Sequence, residues 1–513
     1  MAGWVALAAA FALGSTWLLQ RLLPRAATDN PVRRVAQNSA FPMATALANK
    51  GLDLAFAIVM LRVLGPAAAG AYAWVGVVVG YLDILLGFGM NTWLTREVAR
   101  EPARLGRELG RVLGARAVFW LGVVAVTLLL AGPLAGPLDV TPEKAWALLL
   151  LALAMAPAGL SAALTAVFQA YERMEYPAAV TVVTTVLKVA LGLLALGLGY
   201  GYVGLAAVAL GVNLVTLGAL AVLFADLVGW PRLRVAPRAG LALVGEAYPF
   251  MMNNLLASLF FRLDSLLLPP LAGDVALGWY SAAYRVVDGF NLIPANFTLA
   301  LFPLLARQGQ ADRAALGRVY GRAIKLLLAV GVPICVGTAL LAEPLVTFFA
   351  GAAYVPQAAW ALRVLIWFLP FSFVNGVTQY VLIAVDRQRF LTIAFLVATV
   401  FNLAANLVLI PRTSYLGAAL VTVLSEIVLL GPFWWAITRS LPPVSLWRLA
   451  WRPALAAAGM AAVVVPVSAW SWLLSIPAGA AAYFALLAAL GGFDADDRAL
   501  LRRLRGGKGD VRD

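Results

Sequence analysis

The sequence predicts an all-α protein that crosses a membrane many times and contains two related six-helix bundles. Of its 513 residues, 63% are hydrophobic and 12% are charged, whereas a soluble domain is about half apolar and about a quarter charged. Long apolar runs alternate with short connections rich in arginine. A pattern in the first hundred residues also returns later in the chain. No soluble core could hide this much apolar surface, so the solvent must be lipid.

The residue types that are missing exclude several kinds of site. The chain has no histidine and a single cysteine, Cys335, so disulfides, cysteine metal clusters, histidine-ligated metals and histidine bases are excluded. We expect no metal and no cofactor. The net charge of +14 does not indicate a nucleic acid partner, because the basic residues lie between apolar spans. They are better explained as topology signals beside anionic membrane lipids.

The first apolar run, residues 4–23, is long enough to span a bilayer, which takes about 20 residues. No Lys or Arg precedes it, which argues against a secretory signal. Four arginines follow it, which predicts an outside amino terminus. We therefore assign residues 1–30 to an extra amino-terminal hydrophobic helix, either an added anchor or an artefact of the chosen start codon.

Fourteen further helices are predicted in two bundles and a final pair. The first bundle, residues 31–230, has helices near 36–62, 70–96, 111–132, 144–168, 177–198 and 203–224. A basic cytoplasmic linker, residues 231–240, leads to the second bundle, 241–440, with helices near 241–268, 278–305, 322–342, 357–383, 390–410 and 416–438. Two added helices near 453–474 and 476–493 fill residues 441–493, and a charged cytoplasmic tail covers 494–513.

The charge of the connections predicts their side of the membrane. The basic residues of the connections lie almost entirely in alternate ones, and the opposite set holds only Arg62, Lys144 and Arg412. An excess of Lys and Arg marks the cytoplasmic side. Both ends of the fourteen-helix body are then cytoplasmic, as an even number of crossings requires.

An internal repeat relates the opening hairpins of the two bundles. In the first, Leu64-Gly65-Pro66 breaks an apolar run and Gly70-Ala71-Tyr72 starts the next. In the second, Leu271-Ala272-Gly273 and Gly278-Trp279-Tyr280 do the same. Long apolar repeats of this kind are typical of transporters with a path between two halves.

These hairpins resemble those of bacterial polysaccharide flippases, a family of the multidrug/oligosaccharidyl-lipid/polysaccharide exporter superfamily. The resemblance rests on residues 61–66 with Gly70-Ala71-Tyr72, and on Arg262-Leu263-Asp264 with residues 278–285 and Phe302-Pro303. It covers about 30–494 and implies two six-helix bundles facing each other in a V, with two added helices. The amino-terminal helix departs from the usual family start.

The resemblance also implies a function. Such a flippase is not an enzyme and moves a polyprenyl-pyrophosphate-linked oligosaccharide from the cytoplasmic to the outer leaflet of the bacterial inner membrane. It works by alternating access and serves cell-surface polysaccharide biosynthesis, with polysaccharide polymerases as partners.

Basic residues inside the spans are candidates for binding such a cargo. An unpaired charge at mid-bilayer costs at least about 2.5–3.5 kcal/mol, so each one needs a reason. A pyrophosphate can be held by forked hydrogen bonds from Arg and by the point charge of Lys. The candidates are Lys50, Arg262, Arg285 and Lys188. Alternatively, Lys50–Asp53 and Arg285–Asp288, each three residues apart, are structural ion pairs.

Acidic and amide residues in the spans suggest two further roles. Candidates for coupling transport to a proton or sodium gradient are Asp53, Asp83, Asp288 and Glu426. Alternatively, each of these carboxylates simply neutralises a basic neighbour. Candidates for a polar lining of the sugar path are Asn253, Asn254, Asp264 and Asn291. Amides in membranes also form hydrogen bonds between helices, so the lining role is not the only one.

Two alternatives lie within the superfamily and one outside it. A lipid II flippase shares the pyrophosphate anchor, so basic residues do not separate it from other glycan flippases. A cation-coupled drug exporter handles lipophilic cations, which a cleft rich in Lys and Arg suits poorly. A membrane polysaccharide polymerase or ligase needs catalytic groups outside, and the outer connections near 131–145 and 341–357 are short and nearly free of charge.

Overall fold

A computed structural model describes residues 31–492 except 232, 234–236, 292, 295–296, 299–300, 302–304, 306–311 and 443. Within these residues the regular structure is helical and contains no strand. The predicted helix in residues 1–30 and the predicted tail, 494–513, lie outside the described residues.

The helices follow one another through short connections. The first eight are α1 Pro31–Gly87, α2 Met90–Arg100, α3 Leu105–Ala131, α4 Pro142–Ala170, α5 Glu175–Gly197, α6 Gly201–Leu227, α7 Pro237–Ala272 and α8 Asp274–Phe290. The next seven are α9 Arg313–Leu340, α10 Ala342–Phe349, α11 Gln357–Leu365, α12 Phe368–Ala384, α13 Gln388–Thr438, α14 Leu446–Trp470 and α15 Trp472–Ala489. Short 3-10 turns lie at Pro102–Arg104 and Ala352–Tyr354.

Two of these helices are each two predicted helices joined at a break. In α1 the break is at Gly65, with φ 70° and ψ 175°, at the predicted Leu64-Gly65-Pro66 interruption. In α13 it is at Ser414, with φ 54° and ψ −136°, between the predicted helices 390–410 and 416–438. The positive φ at Gly65 is a conformation that glycine adopts without a Cβ penalty.

Other helix ends differ from the prediction. The predicted helix 70–96 is interrupted at Phe88 and Gly89, both with positive φ, and the predicted helix 357–383 is divided between α11 and α12. The outer connection near 341–357 holds the short helix α10. Glycines flank Phe88 at the first break, and Pro370 lies in the first turn of α12 after the second. Both residue types interrupt helices, so these two breaks had a sequence signal that the predicted helices did not use.

Eleven helical stretches among the described residues are long and apolar enough to cross a membrane. Two of them, Asn49–Arg100 and Phe390–Thr438, contain 52 and 49 residues, and about 20 residues suffice for one crossing. Each therefore has length for two crossings. The predicted span 278–305 is described only in part. The other observed helices agree with the predicted multi-pass character of the chain.

By contacts the chain divides into two units, Met1–Gly278 and Trp279–Asp513. In the first unit α4 lies centrally and packs on α1, α2, α3 and α6, while α7 packs on α1 and α3. In the second unit α9 packs on α12 and on the added pair α14–α15. Tyr483 of α15 donates a hydrogen bond to the Ala329 carbonyl oxygen of α9 at 2.7 Å. The predicted boundaries of the two six-helix bundles remain a prediction.

Candidate functional site

An ion pair inside the membrane spans joins α1 to α5. Lys188 Nζ lies 2.7 Å from Asp53 Oδ1, and the two side chains are 41% and 45% exposed. A half-exposed ion pair at this depth is stable only where water reaches it, because lipid cannot solvate either charge. The pair therefore indicates a wet surface on the first unit.

Two cations for which a local ion pair was the alternative to cargo binding do not form that pair. Lys50 is exposed, and Asp53, one turn further along α1, pairs with Lys188 instead. Arg285 on α8 is also exposed and forms no ion pair with another described residue. The structural alternative for both residues, an ion pair at i,i+3, is therefore absent from the described part of the chain.

Arg262 belongs to a polar group between α1 and α7. It is half-buried, and its charge and that of Asp264 both act on the Tyr81 hydroxyl. Tyr81 donates to the Ser258 carbonyl oxygen at 3.4 Å. Asp264 is buried and accepts from the Ser265 backbone N–H at 2.6 Å. This carboxylate is thus held by its own helix, and its role in lining a cavity remains a prediction.

The other predicted polar residues occupy different surroundings. Asp83 is exposed on α1, and the charge of Arg116 acts on it. Asp288 is half-buried on α8, Asn254 is exposed on α7, and Asn291 follows α8 directly. The side chain of Asn253 lies outside the described part. The roles of these residues stay predictions.

Arg116 is a buried cation inside the predicted helix 111–132 that was not among the candidate site residues. It lies within α3, donates to the Gly159 carbonyl oxygen of α4, and donates to Asn91 Oδ1 of α2 at 2.5 Å. It therefore ties three helices of the first unit together. Its place in the apolar stretch Ala115-Arg116-Ala117-Val118 was the available signal.

Glu426 lies in the interior of the second unit and is 2% exposed. Asn375 Nδ2 donates to Glu426 Oε2 at 2.7 Å and to its carbonyl oxygen at 2.9 Å. No basic side chain of the described residues forms an ion pair with this carboxylate. Its neighbours are thus amides and hydroxyls, including Ser372, and the idea that it neutralises a basic residue has no support here.

An amide network continues from Glu426 along α13. Asn402 donates to Ser425 Oγ at 2.9 Å, and Asn406 donates to Asn402 Oδ1 at 2.8 Å. Two buried oxygen acceptors, Asn375 Oδ1 and Asn406 Oδ1, have no hydrogen-bond partner among the described residues. Unpaired buried acceptors are unusual, so these two amide oxygens are available to accept a further hydrogen bond.

Lys144 is a second buried cation that the sequence reasoning did not single out as a site. It is fully buried in the first turn of α4, with Nζ 2.7 Å from Asp274 Oδ1 and 2.6 Å from the Asp139 carbonyl oxygen. Burial raises the pKa of the Asp274 carboxyl, and the Lys144 ammonium opposes this rise. The pair thus joins a fully buried ammonium to a partly buried carboxylate near the predicted outer end of α4.

The chain matches the polysaccharide biosynthesis protein family over residues 35–308, more than half of its length. The chain belongs to this family. A further match, to the MatE family, covers residues 249–408 of this polysaccharide biosynthesis family protein. No curated protein matches it in sequence. The family resemblance proposed from the two hairpins is therefore confirmed.

Solved structures of transporters share its fold. The lipid II flippase MurJ, in an inward closed conformation, has a TM-score of 0.71 and 14% identity, covering 88% of this chain and 99% of that one. An inward-facing multidrug resistance MATE family transporter has a TM-score of 0.62 and 17% identity, covering 76% and 94%. A Vibrio cholerae MATE transporter has a TM-score of 0.52 and 19% identity, covering 81% and 98%.

At these identities the solved structures establish the fold alone. Together with the family match, they confirm the predicted all-α polytopic fold class. This polysaccharide biosynthesis family protein is a multi-pass membrane protein with the fold of these transporters. These structural neighbours are a flippase and multidrug transporters.

Proposed function

We propose that this protein flips a polyprenyl-pyrophosphate-linked oligosaccharide from the cytoplasmic to the outer leaflet of a bacterial cytoplasmic membrane, for cell-surface polysaccharide biosynthesis. The observation that carries the proposal is that Lys50 and Arg285 are each exposed and have no ion-pair partner among the described residues. A cation that nothing neutralises is expensive inside a membrane. An anionic cargo supplies the missing charge.

The basic residues suit a pyrophosphate in different ways. Arg262 and Arg285 can offer forked hydrogen bonds to phosphate oxygens, whereas Lys50 and Lys188 offer compact positive charges. Lys188 is neutralised by Asp53 at 2.7 Å in this structure. Because both side chains are half exposed, a pyrophosphate can compete with Asp53 for the ammonium. We therefore propose that Lys188 exchanges partners when cargo binds.

The transport mechanism that fits these features is alternating access. The headgroup enters a wet cleft from the cytoplasmic side, the polyprenyl chain stays in the bilayer, and the cleft then opens to the outside. The flipped glycan is then available to polymerases that act on the outer leaflet. Coupling to a proton or a sodium ion is assigned to Glu426, whose carboxylate has only amide and hydroxyl partners among the described residues.

Replacing three of the candidate cargo-binding cations by alanine tests the proposal. Export of surface glycan should fall in each of the variants Lys50→Ala, Arg262→Ala and Arg285→Ala. Each substitution removes a charged side chain that would donate hydrogen bonds to the cargo. Bonds to charged groups contribute about 1.5–3 kcal/mol, which corresponds to about a 10- to 150-fold loss of binding. Surface glycan and membrane abundance of the transporter are measured together in cells that lack the endogenous protein.

A matched control is Arg412→Ala, which removes an exposed arginine near the predicted outer end of a span. This variant should export at the parental level. Lys50→Arg should keep much of the activity because it keeps the charge. The assignment of the cargo site is wrong if all three alanine variants export normally at normal abundance.

A lipid II flippase is the second candidate, favoured by the fold likeness to MurJ at a TM-score of 0.71. The two functions share the pyrophosphate anchor and differ in the glycan. Expression in cells depleted of their own lipid II flippase separates them. Rescue of growth supports lipid II as cargo, whereas failure to rescue together with restored surface polysaccharide in a flippase mutant supports the main proposal.

A further inference from the structure

Lys144 is placed where it does not help its own helix. It lies three residues after Thr141, the N-cap of α4, whose side chain accepts a hydrogen bond from the Lys144 backbone N–H at 3.4 Å. A positive side chain in the first turn of a helix opposes the helix dipole, whereas an acidic one is favourable. Asp274, the first residue of α8, has the favourable sign. The lysine therefore serves the contact with Asp274 and not the stability of α4.

The Lys144 ammonium has one partner within its own segment and one partner across the fold. Asp139 lies in the connection just before α4 and offers its carbonyl oxygen at 2.6 Å and Oδ2 at 3.7 Å. Asp274 lies at the start of α8, more than a hundred residues away in sequence, at 2.7 Å. If α8 moved away, Asp139 would still partner the ammonium. The geometry thus allows the contact to open without leaving the lysine unpaired.

Trp74 and two glycines complete this contact. The Trp74 ring lies 5.5 Å from Lys144 Nζ, and its Nε1 donates to the Leu266 carbonyl oxygen of α7. Beside it, Gly70 of α1 and Gly278 of α8 pack so closely that a Cβ on either would overlap backbone of the other helix. These glycines occupy equivalent positions in the internal repeat. The starts of α4 and α8 and the second part of α1 therefore meet at one point.

The cost of this contact favours a movable role over a static one. A buried ion pair contributes little net stability compared with apolar residues of the same volume, because both charges lose their hydration. The same loss of hydration raises the pKa of the Asp274 carboxyl, and Lys144 opposes the rise. A permanent helix contact would be more stable if built from apolar side chains. A contact that must open and close gains from polar groups that water can solvate once it is open.

We propose that the Lys144–Asp274 ion pair is a gate contact on the outer side of the transporter, closed as seen here and opened when cargo leaves toward the outer leaflet. Lys144 stays with Asp139 in the open state, while Asp274 and the start of α8 separate from α4. The outer position of the contact follows from the sparse basic residues of this set of connections. Only the release of cargo through the open gate rests on the proposed function.

Accessibility of a buried cysteine from outside measures the gate directly. The reporter is Ala71→Cys, next to Gly70 and 5% exposed, in a background with the buried Cys335 replaced by Ala. An impermeant maleimide is applied to intact cells. Asp274→Asn should raise the labelling rate by about 5- to 150-fold, the range of ordinary coupling free energies, because it removes the cross-fold partner. This readout needs no knowledge of the cargo.

The matched control is Asp139→Asn, which removes a carboxylate next to the same lysine but on the same segment. It should leave the labelling rate near that of the reporter alone. If the two asparagine variants label alike, whether fast or slowly, the ion pair to Asp274 is not the gate contact. Membrane abundance of each variant is measured in the same cells, so loss of folding is distinguished from opening.

A second measurement tests whether the contact must move. Cysteines replacing Lys144 and Asp274 are joined by a bifunctional thiol reagent, and cysteines replacing Lys144 and Asp139 are joined in the same way. Compared with each unlinked pair, the first link should stop glycan export until it is reduced, and the second should not. Export that continues through the Lys144–Asp274 link overturns the gate. If the Cys335→Ala background without these paired cysteines exports no glycan while the maleimide result holds, the cargo assignment fails and the gate stands.

Discussion

Gly278→Ala is expected to abolish export and to lower the stability of the first unit. A Cβ at this position would overlap the Pro66 carbonyl oxygen, which is backbone and cannot rotate away. The two helices must separate to admit the methyl group, and overpacking of this kind costs about 1–3 kcal/mol or more. Gly70→Ala should act in the same way, since its Cβ would overlap the Asp274 carbonyl oxygen. The thermal midpoint of purified protein and export in cells measure the two effects.

The controls are glycines on the same two helices that have open space around them. A Cβ on Gly76 or on Gly289 would meet no atom within 4 Å. Gly76→Ala and Gly289→Ala should therefore export normally and gain up to about 1 kcal/mol, because alanine stabilises a helix interior. The double variant of Gly70 and Gly278 should cost less than the sum of the single ones, because one separation of the helices relieves both overlaps. If Gly278→Ala has normal export and a normal thermal midpoint, the close packing of Gly278 against Pro66 is wrong.

Hydropathy and charge were enough to predict the spans and most of their order. Apolar runs of about 20 residues leave few other structures in lipid, because every backbone polar group must be satisfied within the segment. The break at Gly65 was also readable, since Gly-Pro interrupts the run there. The breaks at Phe88 and Ser414 were not assigned to those residues, because neither is a residue that usually adopts a positive φ.

The partners of the charged residues could not be read in the same way. Sequence spacing offered Asp53 a partner three residues away, Lys50, whereas the structure pairs it with Lys188, 135 residues distant. Helical periodicity states which residues share a face, but the packing of α5 on α1 decides which charge that face meets. Lys144 was interpreted only as one of the few basic residues of the outer connections, because its partner also lies far away in sequence. Its burial depends on Asp274, which no local pattern connects to it.

Glu426→Gln is expected to remove the response of export to an ion gradient while the protein still folds. Glutamine keeps the volume and an acceptor for Asn375 Nδ2, which now donates to Oε2 at 2.7 Å. Its new amide group can donate to Asn375 Oδ1, which has no partner among the described residues. What glutamine loses is the ability to release a proton or to neutralise a sodium ion. Removing one coupled charge lowers the driving force by about 2.3 kcal/mol at 100 mV, or about fiftyfold in the limiting ratio across the membrane.

The measurement is uptake or export in vesicles with an imposed proton or sodium gradient, compared with exchange at equilibrium, which needs no gradient. The variant should retain exchange and lose the gradient response. Glu343→Gln is the matched control, because Glu343 is half exposed and pairs with Arg363 at 3.1 Å. It should respond to the gradient as the parent does. Since Glu426 has no basic partner among the described residues, a Glu426→Gln variant that still responds to both gradients places the coupling group elsewhere and leaves this carboxyl a neutral hydrogen-bonding residue of the core.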